Sequence, residues 1–151
     1  MSVALTVDTD LPAAALHGKL LYIDDERVNV VWLQGLLAAH PGVQLVHAAN
    51  GLDGVQLAHS ERPDFVLLDM HLPDIGGLEV VRRISGLIAS RGLRVTLLTG
   101  DHPSMDIIKA MSLGAYEYWV RPLQVGKFEA GLRRALSGHR ADPHRTLALH
   151  R

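Results

Sequence analysis

Three short, largely apolar runs recur along this chain, each stopping at a polar residue. Leu20-Leu21-Tyr22-Ile23 halts at Asp24-Asp25, Phe65-Val66-Leu67-Leu68 at Asp69, and Val95-Thr96-Leu97-Leu98 at Thr99. Val43 to Ala48 is a further strand candidate, and Tyr116 to Val120, the fifth, ends at Arg121. Continuous runs of this length suit strands buried on both faces, as parallel sheets require. Helical spacing fills the gaps. Asn29, Trp32, Leu33, Leu36 and Leu37 mark a first helix, ended by Pro41-Gly42, and Asn50 opens a short second one. Val80, Ile84, Leu87 and Ile88 mark the third, and Ile107, Ile108 and Met111 the fourth, which Gly114 stops. Val125, Phe128, Leu132 and Leu136 line the fifth, with Gly138 just past its end. Gly54 disfavours the second helix by roughly 1 kcal/mol relative to Ala. Among such neighbours Trp32 and Trp119 are expected in the core, and Asp101-His102-Pro103-Ser104 reads as a helix start with Pro in the first turn.

Strands alternating with helices imply right-handed crossovers and a doubly wound α/β fold: a five-stranded parallel sheet with helices on both faces, in one domain over residues 18–138. Residues 1–17 carry no sustained period and read as an N-terminal leader. Residues 139–151 lose the period and read as a C-terminal tail or linker. Open α/β sheets bind ligands outside the carboxyl ends of their strands. That edge is where Asp24, Asp25, Asp69, Thr99 and Arg121 are expected.

Composition narrows the function. With 48% apolar and 21% charged residues and a formal net charge of −1, the chain is neither disordered nor membrane-like. The near-neutral balance gives no electrostatic reason to expect nucleic acid as a partner. With no cysteine there are no disulfides and no thiol chemistry. The first ten residues hold two Asp and no Lys or Arg, unlike a signal peptide, and no apolar run approaches the ~18–20 residues that span a bilayer. A cytoplasmic protein without membrane attachment is expected. The nine histidines are scattered; His139 and His144 have ligand-like spacing but no second pair, so a solvated tail outweighs zinc. Arg82-Arg83 reads as a solvated helix face.

Three carboxylates gathered at one sheet edge repel one another and call for a cation. Mg²⁺, which takes an oxygen shell at about 2.0–2.1 Å and keeps several waters, suits Asp24, Asp25 and Asp69 better than Ca²⁺, which wants more ligands. The bland alternative is that Asp24 and Asp25 cap the helix behind them. Partners at the other strand ends argue against it. A phosphohydrolase of the haloacid dehalogenase type would need Asp-x-Asp on the first strand. Here the two Asp are adjacent, so the chain is not read as an enzyme.

In order along the chain, Leu21-Tyr22-Ile23-Asp24-Asp25-Glu26 with Asn29, Asp69-x-x-x-Pro73-x-x-x-Gly77, Leu97-Leu98-Thr99-Gly100, Gly114-Ala115-x-x-Tyr118 and Arg121-Pro122 resemble the receiver domains of two-component response regulators. The resemblance covers roughly residues 18 to 138 and implies flavodoxin-like strand order. It makes Asp69 the phosphoryl acceptor, with Mg²⁺ bound by Asp25, Asp69 and the His71 backbone carbonyl, and with Asp24 acting mainly through water. Thr99 would bond the phosphoryl oxygens, and Tyr118 would be the aromatic that changes position on activation. Its partners would be a sensor histidine kinase or phosphotransfer protein, and a downstream effector protein or C-terminal effector domain; it leaves room for a homodimer. The family normally has Lys where this chain has Arg121, a wider, planar cation. That departure motivates an alternative, a phosphorylation-independent interaction or dimerisation module.

Overall fold

The computed structural model describes residues 16–137; most of the expected leader, Gly138, and the tail with His139 and His144 lie outside the described residues. Five strands and five helices alternate: β1 (Gly18–Ile23), α1 (Arg27–Leu37), β2 (Val43–Ala48), α2 (Gly51–Ser60), β3 (Phe65–Asp69), α3 (Gly77–Arg91), β4 (Arg94–Thr99), α4 (Met105–Ser112), β5 (Glu117–Val120) and α5 (Val125–Leu136). Every pairing is parallel, in the order β2-β1-β3-β4-β5, so the doubly wound sheet expected from the runs is the one formed.

Alternation along each strand splits the core in two. Leu21, Ile23, Val66, Leu68, Val95 and Leu97 pack beneath α2, α3 and α4, against residues such as Ala58, Val80, Val81, Ile84, Ile107 and Ala110. Leu20, Tyr22, Phe65, Leu67, Leu98 and Trp119 face α1 and α5, against Val30, Leu33, Leu37, Phe128, Leu132 and Leu136. Each fully buried Leu or Phe contributes about 1.5–3 kcal/mol relative to exposure, so both layers are needed to hold the sheet.

Register then places the chemistry. Ile23 pairs with Leu68, Asp69 with Leu98, and Thr99 with Val120. Asp24 follows one step beyond β1, level with Asp69, and Arg121 one step beyond β5, just past the level of Thr99. Because Tyr22, Leu67 and Trp119 face α1 and α5, the residues two places on take that side too: Asp24, Asp69 and Arg121.

Two expectations need correction, and a third finds its packing reason. Trp32 is 42% exposed: α1 buries Val30, Leu33 and Leu37, and Trp32 lies off that stripe. Pro103 precedes the fourth helix instead of occupying its first turn, because Ser104 is the cap and its Oγ accepts the Ile107 N–H. Gly54 reflects close approach, since a Cβ there would meet Ile23 Cδ1 at 2.6 Å. Trp119 is buried as expected, and Arg82 and Arg83 stand on the solvated face of α3 beside Glu79.

Candidate functional site

Asp24, Asp25 and Asp69 each offer a carboxylate oxygen, and these oxygens lie within 4.8 Å of one another. Their settings differ. Asp24 is completely buried, Asp69 nearly so, and Asp25 is exposed. Asp24 Oδ2 accepts three hydrogen bonds: from the Tyr22 hydroxyl at 2.6 Å, Arg121 Nη2 at 2.8 Å and Asn29 Nδ2 at 3.1 Å. Its Oδ1 accepts the Glu26 N–H at 2.8 Å, and its backbone carbonyl accepts from His47 Nε2 at 2.8 Å. Asp24 is thus anchored from α1, β2 and the end of β5.

Asp69 is held more loosely. Its Oδ1 accepts the His71 N–H at 3.0 Å, and its Oδ2 lies 3.8 Å from Arg121 Nη2. Burial pushes its carboxyl above the usual range, helped by the negative charges of Asp24 and Asp25; the His71 hydrogen bond and Arg121 oppose this. A carboxylate so placed is more basic than an exposed one and its charge is only partly compensated, which suits a nucleophile or a metal ligand. Downstream, Asp74 ties the β3–α3 loop to the start of α2 by accepting the Gly51 and Leu52 N–H groups at 2.7 and 2.8 Å.

Thr99 is buried at the end of β4. Its hydroxyl accepts the Asp101 N–H at 3.4 Å, and its carbonyl accepts the Arg121 N–H at 2.7 Å, which ties the ends of β4 and β5 together. Burial works against the Arg121 charge, but Tyr22, Asp24 and Asp69 more than offset it, so its pKa is raised. Tyr118 stands partly exposed on β5, on the face opposite Trp119 and away from the carboxylates. The structure therefore gathers Asp24, Asp25, Asp69 and Arg121 into one cluster, sets Thr99 at its rim, and keeps Tyr118 apart.

The donor set fits Mg²⁺. It is all oxygen, it carries three negative charges against one neighbouring cation among the described residues, Arg121, and the exposed Asp25 leaves room for the waters that Mg²⁺ retains. Asp24 fits a role through water better than direct ligation, because its Oδ2 is already taken. Sequence reasoning missed Tyr22 as a site residue. The signal was present: on a strand, a Tyr two residues before Asp24 shares its face.

Comparison with known proteins gives the family. Residues 20–133 match the family model of the response regulator receiver domain. The transcriptional regulatory protein AfsQ1 of Streptomyces coelicolor is 35% identical over 117 residues, covering 78% of this chain but 50% of AfsQ1. Sporulation initiation phosphotransferase F of Bacillus subtilis is 29% identical over 122 residues, covering 80% of this chain and 95% of that protein. Among solved structures, the signal receiver domain of an HD domain-containing protein from Pseudomonas fluorescens superimposes with a TM-score of 0.72 at 30% identity, covering 81% of this chain and 96% of that one. The receiver domain of a sensor histidine kinase from Pseudomonas aeruginosa, whose active-site cleft coordinates a magnesium ion, shares the fold with a TM-score of 0.70 at 23% identity, covering 80% and 98%. The chain spans half the length of AfsQ1 and nearly all of the phosphotransferase. It belongs to the response regulator receiver domain family.

Proposed function

We propose that Asp69 accepts a phosphoryl group from a phosphohistidine of a sensor histidine kinase or phosphotransfer protein, in the cytoplasm. The observation that carries this reading is the setting of Asp69: a nearly buried, electrostatically unsatisfied carboxylate at the sheet edge, beside two further carboxylates and one cation. An Asp69 oxygen would form the new P–O bond while the donor's P–N bond breaks and its imidazole leaves. Asp25, Asp69 and the backbone carbonyl of His71 would hold Mg²⁺, with Asp24 behind them through water. The ion supplies positive charge against the phosphoryl oxygens. Thr99 would give its hydroxyl hydrogen to a phosphoryl oxygen, and Arg121, already 3.8 Å from Asp69, would give a charge-assisted contact.

The signal would pass through the exposed side of α4, β5 and α5, where Tyr118, Val120 and Ile108 present apolar surface. AfsQ1, a transcriptional regulator about twice as long as the matched region, supports output through an effector domain or protein. The magnesium-bearing relative supports the metal. Among the described residues no helix is long and apolar enough to cross a membrane.

Incubation with Mg²⁺ and acetyl phosphate should add one phosphoryl group by intact mass, and beryllofluoride should give one bound fluorine NMR signal. Asp69→Ala should abolish both. An equal response in that variant would overturn the assignment. A wild-type chain that takes neither probe would favour the phosphorylation-independent module, for which the Arg121–Asp24 pairing is the motivating observation.

A further inference from the structure

A carboxylate oxygen has two lone pairs, yet Asp24 Oδ2 receives three donors: the Tyr22 hydroxyl, Arg121 and Asn29. The shortest, at 2.6 Å, comes from Tyr22, whose side chain is buried in the α1/α5 layer. Its ring needs no hydroxyl to pack there; Phe would fill the same volume. The hydroxyl is therefore an addition to the core whose hydrogen-bond partner is Asp24. A phenol hydroxyl 2.6 Å from a carboxylate oxygen is the donor of that bond, and Asp24 Oδ2 the acceptor.

We propose that Tyr22 is a positioning residue: it fixes Asp24 Oδ2 and draws its negative charge away from the metal site, and so weakens Mg²⁺ binding. The inference rests on the reading of Asp25 and Asp69 as metal ligands. A short O–H···O⁻ bond draws carboxylate charge toward the donor. With Oδ2 turned toward Tyr22, Asn29 and Arg121, and Oδ1 holding the Glu26 N–H, Asp24 presents little free charge to a cation at Asp25 and Asp69. Removing the phenolic donor returns charge to Asp24 and loosens its orientation. The metal should then bind more tightly.

The test titrates Mg²⁺ alone into the full chain, followed by calorimetry and by amide shifts at Asp25 and Asp69. Tyr22→Phe should lower the Mg²⁺ Kd about threefold or more, because a charge-assisted donor is lost with little change in packing. A purely structural role would leave Kd unchanged or raise it, since a damaged site does not gain affinity. Asn29→Ala removes a second, longer donor from the same oxygen and should act in the same direction but less; it keeps the test decisive if Tyr22→Phe does not fold. In an Asp24→Asn background the effect of Tyr22→Phe should vanish, because it passes through the Asp24 charge. If Asp25→Ala abolishes Mg²⁺ binding while neither Tyr22→Phe nor Asn29→Ala tightens it, the positioning role is wrong and the metal assignment stands. If the wild-type chain binds no Mg²⁺, or Asp25→Ala binds it unchanged, both fall.

Discussion

Replacing Asp69 by Asn removes one charge from the cluster and keeps its shape. Asp24 and Asp69 are both buried, with oxygens no more than 4.8 Å apart. At an effective dielectric of about 20 their repulsion is about 3.5 kcal/mol or more. Arg121 Nη2, 3.8 Å from Asp69, returns about 4.4 kcal/mol of attraction on the same scale. The two nearly cancel. The balance is left to the desolvation of Asp69, the largest cause of its raised pKa, and to Asp25, whose exposed charge is partly screened. Without metal, Asp69→Asn should therefore stabilise the fold by on the order of 1 kcal/mol, raising Tm by roughly 4 °C for a domain of this size. The pH dependence follows from linkage. A carboxyl whose folded pKa is raised adds stability below its unfolded pKa, about 3.9 for Asp, and loses it as pH rises through the folded value. The variant's advantage should thus be absent in acid, grow above that range, and be complete once the pH exceeds the folded value. Mg²⁺ should reverse the order: at 100 times Kd it adds about 2.7 kcal/mol to the wild type and less to a variant short of one ligand charge. Urea titrations by circular dichroism, with chelator and with Mg²⁺, read both effects. If Asp69→Asn is less stable without metal, or if Mg²⁺ stabilises both proteins equally, the electrostatic account of the cluster is wrong.

Asp25→Ala should abolish divalent-dependent phosphorylation and leave the metal-free fold as stable or more so, read by intact mass and by thermal unfolding. Arg121→Lys should enlarge the amide shift changes at Thr99 and Tyr118 on adding beryllofluoride without greatly changing Mg²⁺ affinity; a saturated wild-type response that the variant leaves unchanged would show Arg to be an adequate replacement. Gly54→Ala improves helix propensity by about 1 kcal/mol but sets a Cβ 2.6 Å from Ile23, so it should destabilise by about 1–3 kcal/mol in urea titration.

The sheet was legible because its three central strands, β1, β3 and β4, are largely buried on both faces. Such strands show as unbroken apolar runs, and the first polar residue after each of them, as after β5, marks the edge where ligands bind. Asp24, Asp69, Thr99 and Arg121 could thus be placed before any geometry was known. What escaped depends on direction or on contacts between elements. Helical spacing grouped Trp32 with Leu33 and Leu36, but only the stripe Val30, Leu33 and Leu37 faces the sheet. Trp32 instead lines a groove of about 630 Å³ with Tyr22, Asn29, Arg121, Pro122 and Leu123. Propensity counts Gly54 as a cost to its helix and cannot see Ile23 beneath it. Hydropathy counts Tyr22 as one more apolar residue, so the hydroxyl that meets Asp24 disappears into the run.

Nor could the sequence say which carboxylate Arg121 prefers, and that preference bears on signalling. A modification shifts a conformational equilibrium only by the difference between its interactions in the two states. Asp24 carries the same charge before and after Asp69 is modified. The 2.8 Å contact between Arg121 and Asp24 therefore adds nothing to that difference while it persists. Of the Arg121 contacts, only what it would gain at Asp69, starting from 3.8 Å, would bias such a switch. A planar guanidinium can turn a second nitrogen toward a phosphoryl oxygen while keeping its first partner, which a compact ammonium cannot do in the same way. Tyr22 and Asn29 work against the Arg121–Asp24 contact by sharing the same oxygen, and so lower the cost of loosening it. On the phosphoryl-acceptor reading, the substitution at position 121 and the hydroxyl at position 22 act on one quantity: how far the cation is free to follow the charge that arrives at Asp69.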